Sequence, residues 1–166
     1  MALKTTMAAL AATAALALAQ GGALAADPTP AAAPTTPGGK AVVARQAHYK
    51  ELNAAFGGIN AELRKDAPDK GLIAANAGKM KALAADLPSW FPKGSGPEAG
   101  VKTQAKAEVW TDAAGFAAAV TRLQAETGKL QDVAAAGDLD AIKAQVRATG
   151  GACKACHEIY RAQEAR

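Results

Sequence analysis

The residues best equipped for chemistry stand near the C-terminus, in the run Cys153-Lys154-Ala155-Cys156-His157. The chain has no other cysteine and only one other histidine, His48. On a helix, Cys153, Cys156, His157 and Tyr160 fall at i, i+3, i+4 and i+7 and share one face. Two thiols at that separation can each form a thioether to a haem vinyl group, and the imidazole beside them can reach the iron from the same side. C-x-x-C-H is the attachment signature of c-type haem. Three plainer uses compete. A disulfide between Cys153 and Cys156 suits an oxidising compartment but constrains very little within one helical turn. A thioredoxin-type redox pair needs a βαβ context, which the sequence does not offer. Zinc has enough ligands if His48 joins the three, but Cys156 and His157 are adjacent, an awkward bite for one tetrahedral ion.

Composition narrows what can position these residues. Half of the 166 residues count as hydrophobic, yet 47 of them are alanine and only 4% are aromatic. Alanine is the best helix former but buries little surface, so the composition excludes a β-sandwich or barrel and points to closely packed helices. Met1 to Ala25 carries Lys4, an apolar run from Met7 to Ala19 and the small-residue ending Ala23-Leu24-Ala25. This is the pattern of a cleavable secretory signal peptide, and the run falls short of the roughly 20 apolar residues of a membrane span. Removing it leaves 18 basic against 15 acidic side chains, a net of +3. That surplus is too small and too dispersed to argue for nucleic acid. Residues 26–39 contain four prolines and no large apolar side chain, and read as a flexible tether. The folded domain is expected over residues 40–166.

Four helical stretches follow. From Lys40 to Lys65, Val42, Tyr49, Phe56 and Leu63 recur every seven residues, with Arg45, Leu52 and Ile59 as a second row. Asp66 is a candidate cap for the second helix, with Pro68 in its first turn; that helix carries Ile73, Met80 and Leu87 and stops at Pro88. Residues 88–100, dense in Pro and Gly, read as a loop. A long third helix is expected from Thr103 to Ala136, on Val109, Phe116, Leu123 and Leu130. The fourth, capped by Asp138, presents Leu139, Val146, Cys153 and Tyr160. No segment alternates with period two, so no sheet is expected. The pattern predicts an all-α, antiparallel up-down-up-down four-helix bundle. Its inward rows hold one misfit: Arg45, a costly group to bury without a negative partner, has no acid on any of these rows. An anion from outside the polypeptide could supply it.

The chain resembles the class II c-type cytochromes, specifically the cytochrome c prime family. The likeness runs from Ala41 to Gln163 and rests on a four-helix pattern ending in GDLDAIKAQVRATGGACKACHEIYR, on Arg45-Gln46 in the first helix and on TQAKAEVW before the third. It implies one haem c inside the bundle, bound through two thioethers at Cys153 and Cys156, with His157 as the sole strong axial ligand. It also implies haem contacts from Arg45, Gln46 and Gln104, with Arg161 near the proximal face. A propionate would then be the anion missing from Arg45. Ala107 departs from the proline common at that place. The family's distal position falls on Tyr49.

A low-spin electron carrier needs a second strong ligand, and after the leader only Met80 and His48 could provide one. His48 stands next to Tyr49 but is turned by about 100°, which makes it a solvated flank residue. We therefore expect five-coordinate, high-spin iron with Tyr49 crowding the open face. Such a site favours small uncharged diatomics over water and anions. The expected function is that of a periplasmic haem protein that binds NO or CO, undergoes one-electron redox with an unidentified partner and contributes to NO protection. The alternatives are a low-spin electron carrier with His48 or Met80 as sixth ligand, and an exported scaffold without haem. Nothing resembles a nucleophile with its base, so no turnover enzyme is expected. The resemblance further implies a homodimer.

Overall fold

The computed structural model describes residues 34–163; the expected signal peptide and most of the expected tether lie outside them. Helix α1 spans Pro37–Glu62 and begins three residues before the expected start at Lys40. The reason is local: Thr36 Oγ1 accepts a hydrogen bond from Gly39 N at 3.1 Å, and Pro37 takes the first helical position, where its missing N–H costs nothing. The Pro-Gly-Gly run that looks like linker is a helix start. Gly38 is needed there, because a Cβ at that position would overlap the Gly94 carbonyl.

Helix α2 spans Lys70–Asp86 and is capped by Asp69, whose side chain accepts from Leu72 N at 2.9 Å. The expected cap, Asp66, is displaced because Pro68 disfavours helical geometry in the residue before it. The buried Glu62 carboxylate also holds Asp69 N at 3.1 Å. A single 3-10 turn, Leu87–Trp90, continues past the helix end.

The third expected helix is in fact two. A one-turn helix α3, Glu108–Thr111, precedes the long α4, Ala113–Ala136, with a break at Asp112. Asp112 leaves helical geometry and its side chain caps α4 through Gly115 N at 3.1 Å. Upstream, residues 104–106 bond to 160–162 instead of to one another: Lys106 N donates to Tyr160 O at 3.0 Å and Ala162 N to Gln104 O at 2.8 Å. Their isolated bridge, Ala105 to Arg161, is the only extended pairing among the described residues. Helix α5 spans Leu139–Tyr160, with Asp138 accepting from Asp140 N and Ala141 N at 3.0 and 3.2 Å.

Helices α1, α2, α4 and α5 form the four-helix bundle, and α1 packs on α2, α2 on α4, and α4 on α5. The backbones of α1 and α5 stay further apart, although side chains from both share a core. That core has two parts. One is aliphatic, with Ile59, Ile73, Leu130 and Ile142 all at 0% exposure. Each such side chain contributes about 1.5–3 kcal/mol through burial. The other gathers Trp90, Phe116 and Tyr160, with Tyr49, Phe91 and Trp110 packed against them. The cysteines belong to this second part.

Candidate functional site

Cys153 and Cys156 lie one turn apart on α5, half-buried, as free thiols packed against the aromatic cluster. Burial pushes both thiols above the ordinary cysteine value, and for Cys156 the neighbouring Cys153 adds to the rise. His157 follows at the exposed rim. What cover it has, and then the charge of Arg161, lowers its pKa. This favours the neutral imidazole, the form that ligates a metal. Zinc is a poor match for these donors: no group of three or more His, Cys, Asp or Glu side chains is arranged for an ion among the described residues.

Opposite, on α1, Tyr49 packs against both parts of the core. Its ring meets Trp90 edge-on at 5.3 Å and Phe91 at 6.4 Å. Burial raises the pKa of its hydroxyl well above the ordinary tyrosine value, with Cys156 the next cause. Tyr49, from α1, and the two thiols, from α5, thus pack against the same aromatic cluster. His48 is half-buried and stacks on Trp90, with ring centroids 4.8 Å apart, instead of standing free as a solvated flank residue. Met80 is 1% exposed inside the aliphatic part, apart from the cluster that holds the cysteines.

Arg45, one turn before Tyr49, is 3% exposed, and its partners are protein after all. Its Nη1 donates to Trp90 O at 3.3 Å and Ser95 Oγ at 3.0 Å, and its Nη2 to Ser95 O at 2.7 Å and Thr103 Oγ1 at 3.0 Å. The guanidinium also lies 4.8 Å from the Phe91 ring centre and 5.9 Å from that of Trp110, a stabilising arrangement for a cation. Desolvation lowers its pKa, while Tyr49 and Glu98 oppose the drop. Burial of Arg45 therefore does not by itself require an external anion. Neutral oxygens satisfy its hydrogen bonds without cancelling its charge.

Gln46 is exposed and donates from Nε2 to Lys102 O at 2.8 Å. Arg161 Nε donates to Gln104 Oε1 at 2.7 Å, which joins two further expected site residues beside the end of α5. The structure thus brings together Cys153, Cys156 and Tyr49, sets Arg45 and Gln46 on α1 at their flank, and pairs Arg161 with Gln104. Sequence reasoning missed the wall formed by Trp90 and Phe91 and the acceptors Ser95 and Thr103. One signal was available for the wall: two adjacent aromatics in a Pro/Gly-rich loop, in a chain with few aromatics.

Two free thiols packed against an aromatic interior, with an exposed imidazole beside them on the same helix, have the chemistry of a covalent haem attachment site. With the four-helix bundle, they define the helical class of c-type cytochromes. A sequence model described as Cytochrome C' matches residues 40–161, and the chain belongs to that family. The cytochrome c' of Rubrivivax gelatinosus is 37% identical over 123 residues, 74% of this chain and 95% of the relative. That of Alcaligenes xylosoxydans xylosoxydans is 38% identical over 122 residues, 73% and 92% respectively. Among solved structures, cytochrome c prime from Alcaligenes xylosoxidans aligns as a ferrous variant with bound NO (TM-score 0.69, 32% identity, 76% of this chain and 97% of that one). It also aligns as a variant with bound carbon monoxide (TM-score 0.68, 33% identity, the same coverage). A cytochrome c' with ligand-controlled dimer dissociation aligns at TM-score 0.72 with 28% identity, over 77% of this chain and 98% of that one.

Proposed function

We propose that this protein is an exported, periplasmic haem protein that binds small uncharged gases, NO and CO, at an open distal face, with one-electron redox as a second capacity and NO protection as its role. The observation that carries this is the packing of Cys153 and Cys156 from α5 and of Tyr49 from α1 against one aromatic cluster, with His157 exposed beside the thiols. The residues present fit one haem: the two thiols as thioether donors, His157 as axial ligand, and the rings of Tyr49, Phe91 and Phe116 as apolar walls. When bound, the group supplies an iron with one coordination position for a diatomic ligand.

The chain's own residues set the selectivity. With haem bound, the Tyr49 ring, held edge-on by Trp90, would offer a displaceable, largely apolar surface that admits a small neutral gas more readily than charged or strongly hydrated ligands. Arg45 and Gln46 are suited to a propionate at the flank, and Arg161, already held by Gln104, to the proximal side. The NO- and CO-bound relatives support the gas assignment. The signal-like N-terminus supports export, and N-terminal sequencing of the secreted form checks cleavage after Ala25. The relative whose dimer dissociates under ligand control supports a homodimer, which sedimentation with and without CO would show. The reading is that of a binding protein.

An optical spectrum of protein made in cells able to mature c-type haem tests the whole reading. A broad Soret band without sharp ferrous visible bands is expected. Sharp α and β bands would instead indicate a sixth ligand, His48 or Met80, and a protein without haem absorbance would end the proposal.

A further inference from the structure

Tyr160 lies three residues beyond His157, in the last turn of α5, and is only 5% exposed. A helix leaves its final carbonyls without partners, and a turn this close to the end frays unless something holds it. Here a separate segment does so. Tyr160 O accepts from Lys106 N at 3.0 Å, Ile159 O accepts from Lys106 Nζ at 2.7 Å, and Ala162 N donates to Gln104 O at 2.8 Å. The side chain adds a second fastening of its own: its hydroxyl donates to Asp112 Oδ2 at 2.8 Å, and its ring meets Phe116 at 5.3 Å. Asp112 is itself fixed, since its other oxygen caps α4 through Gly115 N. The fit leaves no slack. A Cβ on Gly115 would overlap both the Asp112 carboxylate and the Tyr160 hydroxyl.

We propose that Asp112 and Tyr160 form a latch that locks the last turn of α5 to the start of α4 and so fixes the orientation of His157 as the iron's axial ligand. Both are positioning residues acting through His157. The inference rests on the haem reading above. Groups that orient a metal-bound histidine tune the bond it makes, and here the orienting contact reaches the ligand through the backbone of its own turn. Gly115 belongs to the same device, because its missing side chain lets the hydroxyl reach the carboxylate.

The test uses the haem-loaded full chain and two readouts: amide exchange at Lys106 and Ala162, and the iron–histidine stretching band of the ferrous protein by resonance Raman. In Tyr160→Phe, loss of one hydrogen bond is expected to speed exchange about fivefold and to shift and broaden the band. Asp112→Asn has one acceptor oxygen for the two bonds that the carboxylate accepts; with that oxygen on the cap, the Tyr160 hydroxyl meets an amide N–H as donor instead, and an effect between wild type and Tyr160→Phe is expected. Gly115→Ala retains both partners but forces them apart, and is expected to reproduce Tyr160→Phe; it carries the test if the tyrosine variant does not fold. Faster exchange with an unchanged band would make the contact merely structural and overturn the proposal, as would variants unchanged in both readouts. Wild-type protein without covalent haem would remove the underlying reading, and the ligand-orienting role with it. That outcome is told apart by the haem assay alone.

Discussion

The two ends of the bundle are built from different materials. At one end Ile59, Ile73, Met80, Leu130 and Ile142 are sealed, at 0 or 1% exposure. At the other, Trp90, Phe116 and Tyr160 are joined by half-buried Tyr49, Phe91 and Trp110, mostly edge-on, around two free thiols and a buried cation. The aliphatic end gains its stability from volume filled at crystal-like density. The aromatic end offers walls, polar tips and free donors. On the proposed haem reading, stability and function are thus divided along the helix axis, and substitutions at the two ends should fail in different ways.

The largest expected effect belongs to the aromatic end. Replacing Cys153 and Cys156 together by serine removes both thioether donors, and covalent haem should be lost completely, read as the loss of haem staining on a denaturing gel. Retention of covalent haem would place its attachment elsewhere and undo the division. Next comes the aliphatic end, where Leu130→Ala empties a fully buried site and should cost about 3 kcal/mol in urea unfolding. The spectrum of the folded haem protein should stay unchanged. A changed spectrum would mean that the two ends are coupled.

A smaller effect is expected at Tyr49, which touches both parts. Pushing a packed ring off its rotamer costs about 1 kcal/mol, so Tyr49→Ala should accelerate CO association roughly fivefold by flash photolysis. Unchanged rates would remove the ring from the access route. His48→Ala should leave the iron spin state alone, because His48 is engaged with Trp90.

The division was partly legible in the sequence. Heptad rows place Val42, Ile73, Leu130 and Val146 inward because helix periodicity is a local property. The same periodicity puts Cys153 and Cys156 on the inner face. The contacts that finish the aromatic end were not legible, since they join residues 45 to 58 positions apart, such as Arg45 with Trp90, Ser95 and Thr103. Adjacent aromatics in a loop rich in Pro and Gly hint at a wall, but nothing local shows that the loop's carbonyls will receive a guanidinium. The break at Asp112 escaped for a related reason. Residues 103–111 have acceptable helix propensity, and their competing partners lie more than 50 positions away, at the end of α5 and just beyond it.

The smallest effect sharpens the comparison with pH. Glu62 closes the aliphatic end, with only 5% of its side chain exposed, and accepts from Lys65 Nζ at 2.6 Å and from Asp69 N at 3.1 Å. The Lys65 bond first, then the Asp69 amide, hold its pKa below the ordinary glutamate value. The folded state therefore binds this proton more weakly than the unfolded chain does. The resulting stability is fully present above the unfolded pKa and is lost as pH falls through the lower, folded one. Glu62→Gln should unfold more readily than wild type in urea at pH 7, and the gap should narrow progressively as pH falls below the ordinary glutamate range. A gap of constant size would mean that the carboxylate's charge contributes nothing there and that its hydrogen bonds alone secure the turn. In that case the aliphatic end would owe none of its pH dependence to this acid.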